Sequence, residues 1–294
     1  VEIVTTLLIF LVGVGLNGLV VWALGWRGHR HLFRVYVLNL ALADLLLLMR
    51  TPIMLGYVAD NYSWPFGRIF CHVILFLRGL GLYANAFILC AVALERCLCL
   101  LKPVWSGMRR PTVTCGVMWL VAAVLASPYI HSAVLKKVNG THQCLESGTF
   151  HMGLFVIETV AGFILPLLGF VGSNVAVLIT AHRAVPLTPT STPNTSRRMA
   201  RMYQVLFLTM LLFLTCWVPY FVFRFLRALA IDRPQRAVLY KRAIMGTYVS
   251  LYLVYAKSAL NPVMYVFAAR SLSRAVRASL VSTIARLFTD ESVD

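Results

Sequence analysis

The chain has 294 residues, of which 60% are hydrophobic and 13% are charged. A soluble globular domain carries about 25% charged residues, so this composition excludes an ordinary water-soluble fold and indicates a protein embedded in lipid. Lys and Arg number 27 against 10 Asp and Glu. These cations are dispersed in short stretches between apolar runs, which argues against a nucleic-acid-binding surface and fits the charged loops of a membrane protein.

Seven apolar segments follow in chain order, and each has at least the roughly 20 residues that a transmembrane helix requires. They cover residues 3–26, 35–58, 70–101, 112–134, 152–181, 202–230 and 243–269. No internal repeat is visible. The sequence therefore predicts an all-α membrane protein in which residues 1–269 form a single seven-transmembrane helix bundle.

After the seventh segment, residues 270–294 combine apolar and basic positions. The apolar positions recur at helical spacing with Arg between them, at Leu272, Val276, Leu280, Ile284 and Leu287. This spacing predicts a short amphipathic C-terminal helix on the membrane surface and the start of a C-terminal tail. A disordered basic tail is the alternative.

The connections between the segments differ in charge. Basic residues follow the first, third, fifth and seventh segments, at Arg27, Arg30, Arg34, Lys102, Arg109, Arg110, Arg183, Arg197, Arg198, Arg201, Arg270, Arg274 and Arg277. Because Lys and Arg accumulate in cytoplasmic loops, we expect a multi-pass plasma-membrane protein with an extracellular N-terminus. Two N-glycosylation sequons, at Asn61 and Asn139, then fall in extracellular loops.

Two cysteines fall on the predicted outer side, Cys71 at the start of the third segment and Cys144 in the loop after the fourth. Both face an oxidising compartment, which favours a disulfide between them. The other five cysteines lie in or near the membrane, and none is spaced with a histidine as metal ligands are. No metal or cofactor is predicted. A catalytic Ser/His/Asp pattern is also missing, as are the inverted repeats of a transporter, so neither an enzyme nor a transporter is expected.

Short motifs occur in order along the seven segments. They are "GLNGLVVW" with Asn17, "LNLALADLLLL" with Asp44, "ALERCLCLLKPVW", Trp119, "GFILPLLGF" with Pro166, "FLTCWVPY" and "NPVMY". Over essentially the whole chain this set resembles the rhodopsin-like (class A) G-protein-coupled receptors. The resemblance implies a cell-surface receptor that binds an extracellular agonist and activates a heterotrimeric G protein.

Within that class, "KPVWSGMRRP", "YSWPFGRIFC", "GFILPLLGF" and "NPVMYVFAA" are similar to chemoattractant receptors for leukotriene B4, formyl peptides and complement fragments. The fifth and seventh segments and the tail "ARLFTDES" are most similar to leukotriene B4 receptors. This resemblance implies chemotaxis, an inhibitory (Gi) G protein and a lipid agonist. A chemotactic-peptide receptor of the formyl-peptide or complement-fragment type is the alternative.

The same resemblance implies an activation switch in the inner half of the bundle. Its residues are Asp44, Glu95, Arg96, Trp217, Pro219, Lys257, Asn261, Pro262 and Tyr265. In that class the carboxylate at Glu95 neutralises Arg96 at rest, and the sixth helix hinges at its "CWVP" sequence because proline removes a backbone hydrogen bond. A snorkelling Arg96 and simple core packing of Trp217 are the alternatives.

Three residues depart from the pattern of that class. Cys97 replaces the tyrosine after the Glu-Arg pair, Asn174 replaces a tyrosine eight residues after Pro166, and Lys257 lies four residues before Asn261. Asp44 binds sodium in that class, and we expect the Lys257 ammonium to replace the ion through a direct pair with Asp44. A Lys257 side chain that points outward or toward another carboxylate is the alternative. These departures leave a decoy receptor, which binds ligand without signalling, as a second alternative.

Charged residues also lie in the outer half of the predicted bundle. Arg50, Arg78 and Arg224 fall on the second, third and sixth segments, among apolar residues. Arginine recognises carboxylates in a planar, bidentate manner, so an anionic amphipathic agonist is expected here. Further contacts are expected from Tyr83, Tyr220 and Glu158, with Glu158 pairing with one of the arginines. Internal pairing or outward snorkelling of the arginines is the alternative.

Overall fold

The computed structural model describes residues 2–26, 32–60, 63–101, 110–138, 140–146, 152–183, 193–230 and 234–268. The predicted amphipathic segment 270–294 and the sequon residues Asn61 and Asn139 lie outside these ranges.

Helices account for most of the described residues. In chain order they are α1 (Glu2–Trp26), α2 (Leu32–Leu48), α3 (Arg50–Ala59), α4 (Gly67–Leu101), α5 (Pro111–Ala126), α6 (Pro128–Ser132), α7 (Met152–Thr159), α8 (Leu165–Arg183), α9 (Pro193–Ala230) and α10 (Ala237–Ala268). A π-helical turn, Val160–Ile164, joins α7 to α8, and a 3₁₀ turn, Pro234–Arg236, precedes α10. Two strands, β1 (Ala133–Val138) and β2 (Thr141–Glu146), form an antiparallel hairpin.

Six helical stretches of the described chain are long and apolar enough to cross a membrane. They are Ile3–Gly25, Arg34–Tyr57, Gly67–Glu95, Pro111–Ser132, Phe155–Thr180 and Leu211–Ala230, and they match the first six predicted segments. The seventh segment lies in α10, which has 32 residues and carries polar side chains that are buried: Thr247, Ser250, Lys257, Ser258 and Asn261. The predicted all-α membrane bundle is confirmed.

The distribution of side chains is that of a bundle in lipid. Large apolar side chains such as Val113, Leu120, Val124 and Leu168 are more than half exposed, whereas Asn17, Asp44 and Asn85 are completely buried. In water such an apolar surface would cause association, but in a bilayer it contacts hydrocarbon. Polar chemistry is therefore concentrated inside the bundle.

Prolines interrupt two of the predicted segments. The second segment breaks at Met49 between α2 and α3, just before Pro52, which has no N–H to donate to the carbonyl four residues earlier. The fourth segment, predicted over residues 112–134, has a break at Ser127. Its α5 ends at Ala126, and the Val124 carbonyl, to which Pro128 has no N–H to donate, accepts from the Ser127 hydroxyl (2.8 Å) and N–H (3.3 Å).

The hairpin is attached to the start of α4. Cys71 and Cys144 form a disulfide, which confirms that prediction. Residues 133 and 134, expected to be helical, instead begin β1 and pair with β2. The hairpin turn contains Gly140 at φ 87°, a conformation that favours glycine.

Candidate functional site

An ion pair joins the fifth and sixth predicted segments inside the bundle. Arg224 on α9 pairs with Glu158 on α7, and both side chains are buried. Glu158 therefore has an arginine partner, as the sequence indicated. Removing one member would leave the other charge buried without compensation, which is costly.

Arg78 lies in a cluster of tyrosines close to this pair. Its guanidinium carbon is 5.4 Å from the centroid of the Tyr129 ring, and the Arg224 guanidinium carbon is 5.9 Å from that of Tyr220. Tyr83 and Tyr129 lie within electrostatic range of both Glu158 and Arg224. Two arginines, one carboxylate and three phenol rings thus form one buried group, which we call the outer cluster: Arg78, Tyr83, Tyr129, Glu158, Tyr220 and Arg224.

Arg50 has a different position. Its Nη1 donates a hydrogen bond to the Tyr255 hydroxyl (3.0 Å), which joins α3 to α10. The described contacts therefore place Arg50 against the seventh segment, Arg78 against the fourth and Arg224 against the fifth.

The π-helical turn brings α7 and α8 close to Tyr83. Gly162 is buried in this turn, and a Cβ there would lie 2.2 Å from a carbon of the Tyr83 ring. Only glycine fits without displacement of the ring. Gly79 plays the same part for Tyr129, because a Cβ at Gly79 would lie 2.7 Å from that ring. Two glycines thus position two tyrosines of the outer cluster.

An aromatic column follows the inner side of α9. The rings of Phe213 and Trp217 have centroids 5.8 Å apart, and those of Trp217 and Phe221 are 6.0 Å apart. Phe170 and Phe163 pack against this column at 4.8 Å from Phe213 and 4.3 Å from Phe221. Trp217 is buried two residues before Pro219, which lies inside α9, so the column crosses the point where proline weakens the helix.

Asp44 is the centre of a polar network between α2, α4 and α10. Its Oδ1 accepts from the Asn85 amide (2.5 Å), and its Oδ2 accepts from the Asn261 amide (2.7 Å). The Lys257 ammonium donates to Asn85 Oδ1 (2.7 Å). The expected direct pair between Lys257 and Asp44 is therefore wrong. The Asn85 side chain lies between the two charges, and Lys257 reaches Asp44 through this amide. We call these four residues the core network.

Glu95 lies near the end of α4 that is opposite the disulfide. Its carboxylate lies near Tyr36 of α2, and Thr114 of α5 is close to the same tyrosine. Arg96 and Tyr265 fall on α4 and α10. Their side chains lie outside the described part of the structure, so the Glu95–Arg96 contact remains a prediction.

The departures at Cys97 and Asn174 occupy buried positions. Asn174 donates to the carbonyl of Phe170 on its own helix (2.9 Å), so its side chain turns back onto α8. Cys97 of α4 is buried beside Val177 of α8.

Sequence reasoning missed three residues of these sites, Tyr36, Tyr129 and Tyr255. Each is a tyrosine within a predicted apolar segment, and no local motif distinguishes it from core packing. Only the helix pairing shows that their hydroxyls or rings face charged groups. Among the described residues, no cluster of His, Cys, Asp or Glu is arranged to hold a metal ion.

Comparison with known proteins decides the family. The model of the seven-transmembrane receptors of the rhodopsin family matches residues 16–265. The chain belongs to this family. Its members are receptors rather than enzymes, they are multi-pass proteins of the plasma membrane, and they work with an extracellular ligand and a G protein.

Relatives of this receptor include chemoattractant receptors. It is 30% identical to the C5a anaphylatoxin chemotactic receptor 1 of Oncorhynchus mykiss, over 97% of this chain and 82% of that protein. It is 26% identical to the C3a anaphylatoxin chemotactic receptor of Danio rerio, over 99% and 78%. It is also 28% identical to the type-1 angiotensin II receptor A of Xenopus laevis, over 88% and 73%.

Proposed function

We propose that this receptor binds an anionic amphipathic agonist at the outer cluster and activates a heterotrimeric G protein of the Gi class. The observation that supports this is the burial of Arg78 and Arg224 among tyrosine rings in the outer half of the bundle. Guanidinium groups in such a desolvated setting bind carboxylates more strongly than they do in water.

An agonist carboxylate at this position competes with Glu158 for Arg224. Arg224 is five residues beyond Pro219 on α9, or about 7.5 Å along the helix axis. A change of partner at Arg224 therefore acts on the same helix as the Trp217–Pro219 hinge. The agonist shifts the population toward the arrangement in which it binds more tightly, and the Glu95–Arg96 region then opens to the G protein.

The source of the carboxylate has two candidates. The motifs of the fifth and seventh segments favour a lipid mediator similar to leukotriene B4. The relatives named for C5a, C3a and angiotensin II instead favour a peptide agonist, whose C-terminal carboxylate would take the same position. Both candidates need the arginines of the outer cluster.

The proposed orientation has the N-terminus outside. The disulfide of the β-hairpin belongs on the oxidising side, so the Gly67 end of α4 is extracellular. Two crossings precede α4, which returns the start of α1 to the same side. Glycosylation at Asn61 and Asn139 is part of this proposal.

The agonist test uses detergent-purified receptor reconstituted with Gi heterotrimer, with leukotriene B4 and C5a as probes. One probe is expected to stimulate guanine-nucleotide exchange, and Arg78→Ala and Arg224→Ala are each expected to lower its potency by about tenfold or more. Arg68→Ala is the control, because Arg68 is an exposed arginine on the same helix as Arg78. Unchanged potency in both cluster variants would remove the carboxylate site.

The same assay separates a signalling receptor from a decoy. The Asn174 side chain bonds to its own helix and takes the place of the tyrosine usual in this class, and this supports the decoy alternative. Agonist binding without nucleotide exchange on any heterotrimer would establish the decoy.

A further inference from the structure

A groove of about 550 Å³ lies on the outside of the bundle, where α4, α5 and the start of α8 meet. Its walls include Leu94 and Leu98 of α4, Met118, Val121 and Leu125 of α5, and Leu165 of α8. The groove does not belong to the outer cluster or to the core network. It opens toward the lipid, because Leu94, Leu98 and Val121 are exposed on this side of the bundle.

The length of the groove along α5 matches one leaflet of a bilayer. Along α5 it extends from Thr114 to Leu125, which are eleven residues apart, or about 16 Å along the helix axis. The hydrocarbon core of a bilayer is about 30 Å thick, so one leaflet contributes about 15 Å. The groove is therefore a channel from headgroup level to the middle of the membrane, on the side opposite the disulfide.

Polar residues occur at only one end of this groove. They are Tyr36, Glu95, Arg110 and Thr114. Arg110 is exposed and precedes α5, and its carbonyl accepts from the Thr114 N–H (3.0 Å) and hydroxyl (3.3 Å). The Glu95 carboxylate is half-buried and lies near Tyr36, whereas Arg110 is exposed. Arg110 is thus the exposed charged group at the open mouth, at the depth of lipid headgroups.

We propose that this groove is a phospholipid-binding site, in which one acyl chain fills the apolar channel and the phosphate is held by Arg110. Charge complementarity selects a phosphate, because an exposed arginine at headgroup depth attracts anionic lipid groups. In the orientation proposed above, the lipid comes from the cytoplasmic leaflet. Since Glu95 lines the same groove, the bound lipid contacts the helix face that carries the predicted Glu95–Arg96 switch.

The test is native mass spectrometry of detergent-purified receptor titrated with dioleoylphosphatidylglycerol, and it needs neither agonist nor G protein. Arg110→Gln is expected to weaken binding of the most tightly bound lipid by about tenfold, the effect of losing one charge-assisted hydrogen bond. Val121→Trp fills the groove and is expected to abolish that binding. Leu120→Trp is the matched control, because the neighbouring Leu120 is 65% exposed and lies outside the groove.

Dioleoylglycerol, which has the same chains but no phosphate, provides the second arm. We expect it to bind at least about tenfold more weakly than phosphatidylglycerol. Equal binding of the two lipids, or no effect of Arg110→Gln, would overturn phosphate recognition. If Val121→Trp and Leu120→Trp weakened phosphatidylglycerol binding equally, the lipid would cover the protein surface in general and not occupy this groove. Neither tryptophan enters the packed core, so both variants are expected to fold.

Discussion

Lys257 illustrates how a single charged residue is accommodated in the transmembrane core. Its ammonium is buried and donates to Asn85, whose amide donates in turn to Asp44. Asn85 thus contacts both charges and links α10 to α2 through α4. An isolated charge at this depth would be expensive, whereas a compensated network is tolerated.

Replacing Lys257 by Met is expected to destabilise the receptor. The change leaves Asp44 buried without its compensating cation, and breaking a buried charge network of this type costs about 3 kcal/mol or more. The measurement is thermal unfolding of the purified receptor in detergent. The double variant Lys257→Met/Asp44→Asn removes both charges and is expected to recover most of the loss.

Lys241→Met is the control for this prediction, because Lys241 is exposed near the start of the same helix. A Lys257→Met variant as stable as the wild type would show that the core network does not need the ammonium. In the wild type, replacing sodium by choline is expected to leave agonist affinity unchanged, since the protein supplies its own cation. Strong inhibition of agonist binding by sodium would contradict this.

Single residues were predicted with uneven success from the sequence. The Glu158–Arg224 pair was predictable in kind, because a buried carboxylate among arginines in lipid must find a partner. The route from Lys257 through Asn85 was not, since it depends on how α4 is rotated between α2 and α10. Tyr129 was missed because its position beside Arg78 depends on Gly79 and on the break at Pro128.

At the scale of the elements, the hydrophobic pattern predicts where helices exist but not where they break. Apolar length gave the helical segments to within a few residues at most ends. The interruptions at Met49 and Ser127 and the π-helical turn arise from prolines and from packing against neighbouring helices. Hydrophobicity alone does not predict such features. The hairpin at residues 133–146 was also not predicted, because its first residues are apolar and extend the fourth segment.

The π-helical turn gives a prediction for the fifth transmembrane element. The Cβ that Gly162→Ala adds would lie 2.2 Å from a carbon of the Tyr83 ring. Either the ring or the turn must move, and overpacking of this kind costs about 1–3 kcal/mol. Thermal unfolding in detergent is expected to show the loss, and agonist affinity is expected to fall because Tyr83 belongs to the outer cluster.

Gly172→Ala on the following helix is the matched control. A Cβ at Gly172 would meet nothing within 4 Å, so this variant is expected to be neutral or slightly stabilising, since alanine favours helix more than glycine. The double variant Gly162→Ala/Tyr83→Leu makes room for the added methyl and is expected to recover part of the stability. Equal stability of the two alanine variants would show that Tyr83 does not require Gly162.

At the scale of the whole molecule, composition predicts that the protein is embedded in lipid, and the apolar segments predict the class of fold. An apolar surface around a polar interior requires lipid, and seven apolar segments of transmembrane length leave few alternatives to a helical bundle. What composition does not give is how the face that carries the disulfide is held together. There the β-hairpin contacts α4 through the disulfide and receives the Trp64 N–H at the His142 carbonyl (2.7 Å).

The disulfide is therefore expected to stabilise this face and with it the outer cluster. It closes a loop with a sequence separation of 73 residues between Cys71 and Cys144, so removing it frees a long segment that includes α5 and Tyr129. Loops of this size gain about 4 kcal/mol from closure in the chain-entropy treatment, and bilayer insertion of α4 and α5 limits the loss to less than that. Dithiothreitol is expected to lower the unfolding temperature of wild-type receptor and to weaken agonist binding, and to have no such effect on Cys71→Ala/Cys144→Ala. A wild-type receptor whose unfolding temperature and agonist affinity are both insensitive to reduction would show that the helices alone hold this face in place.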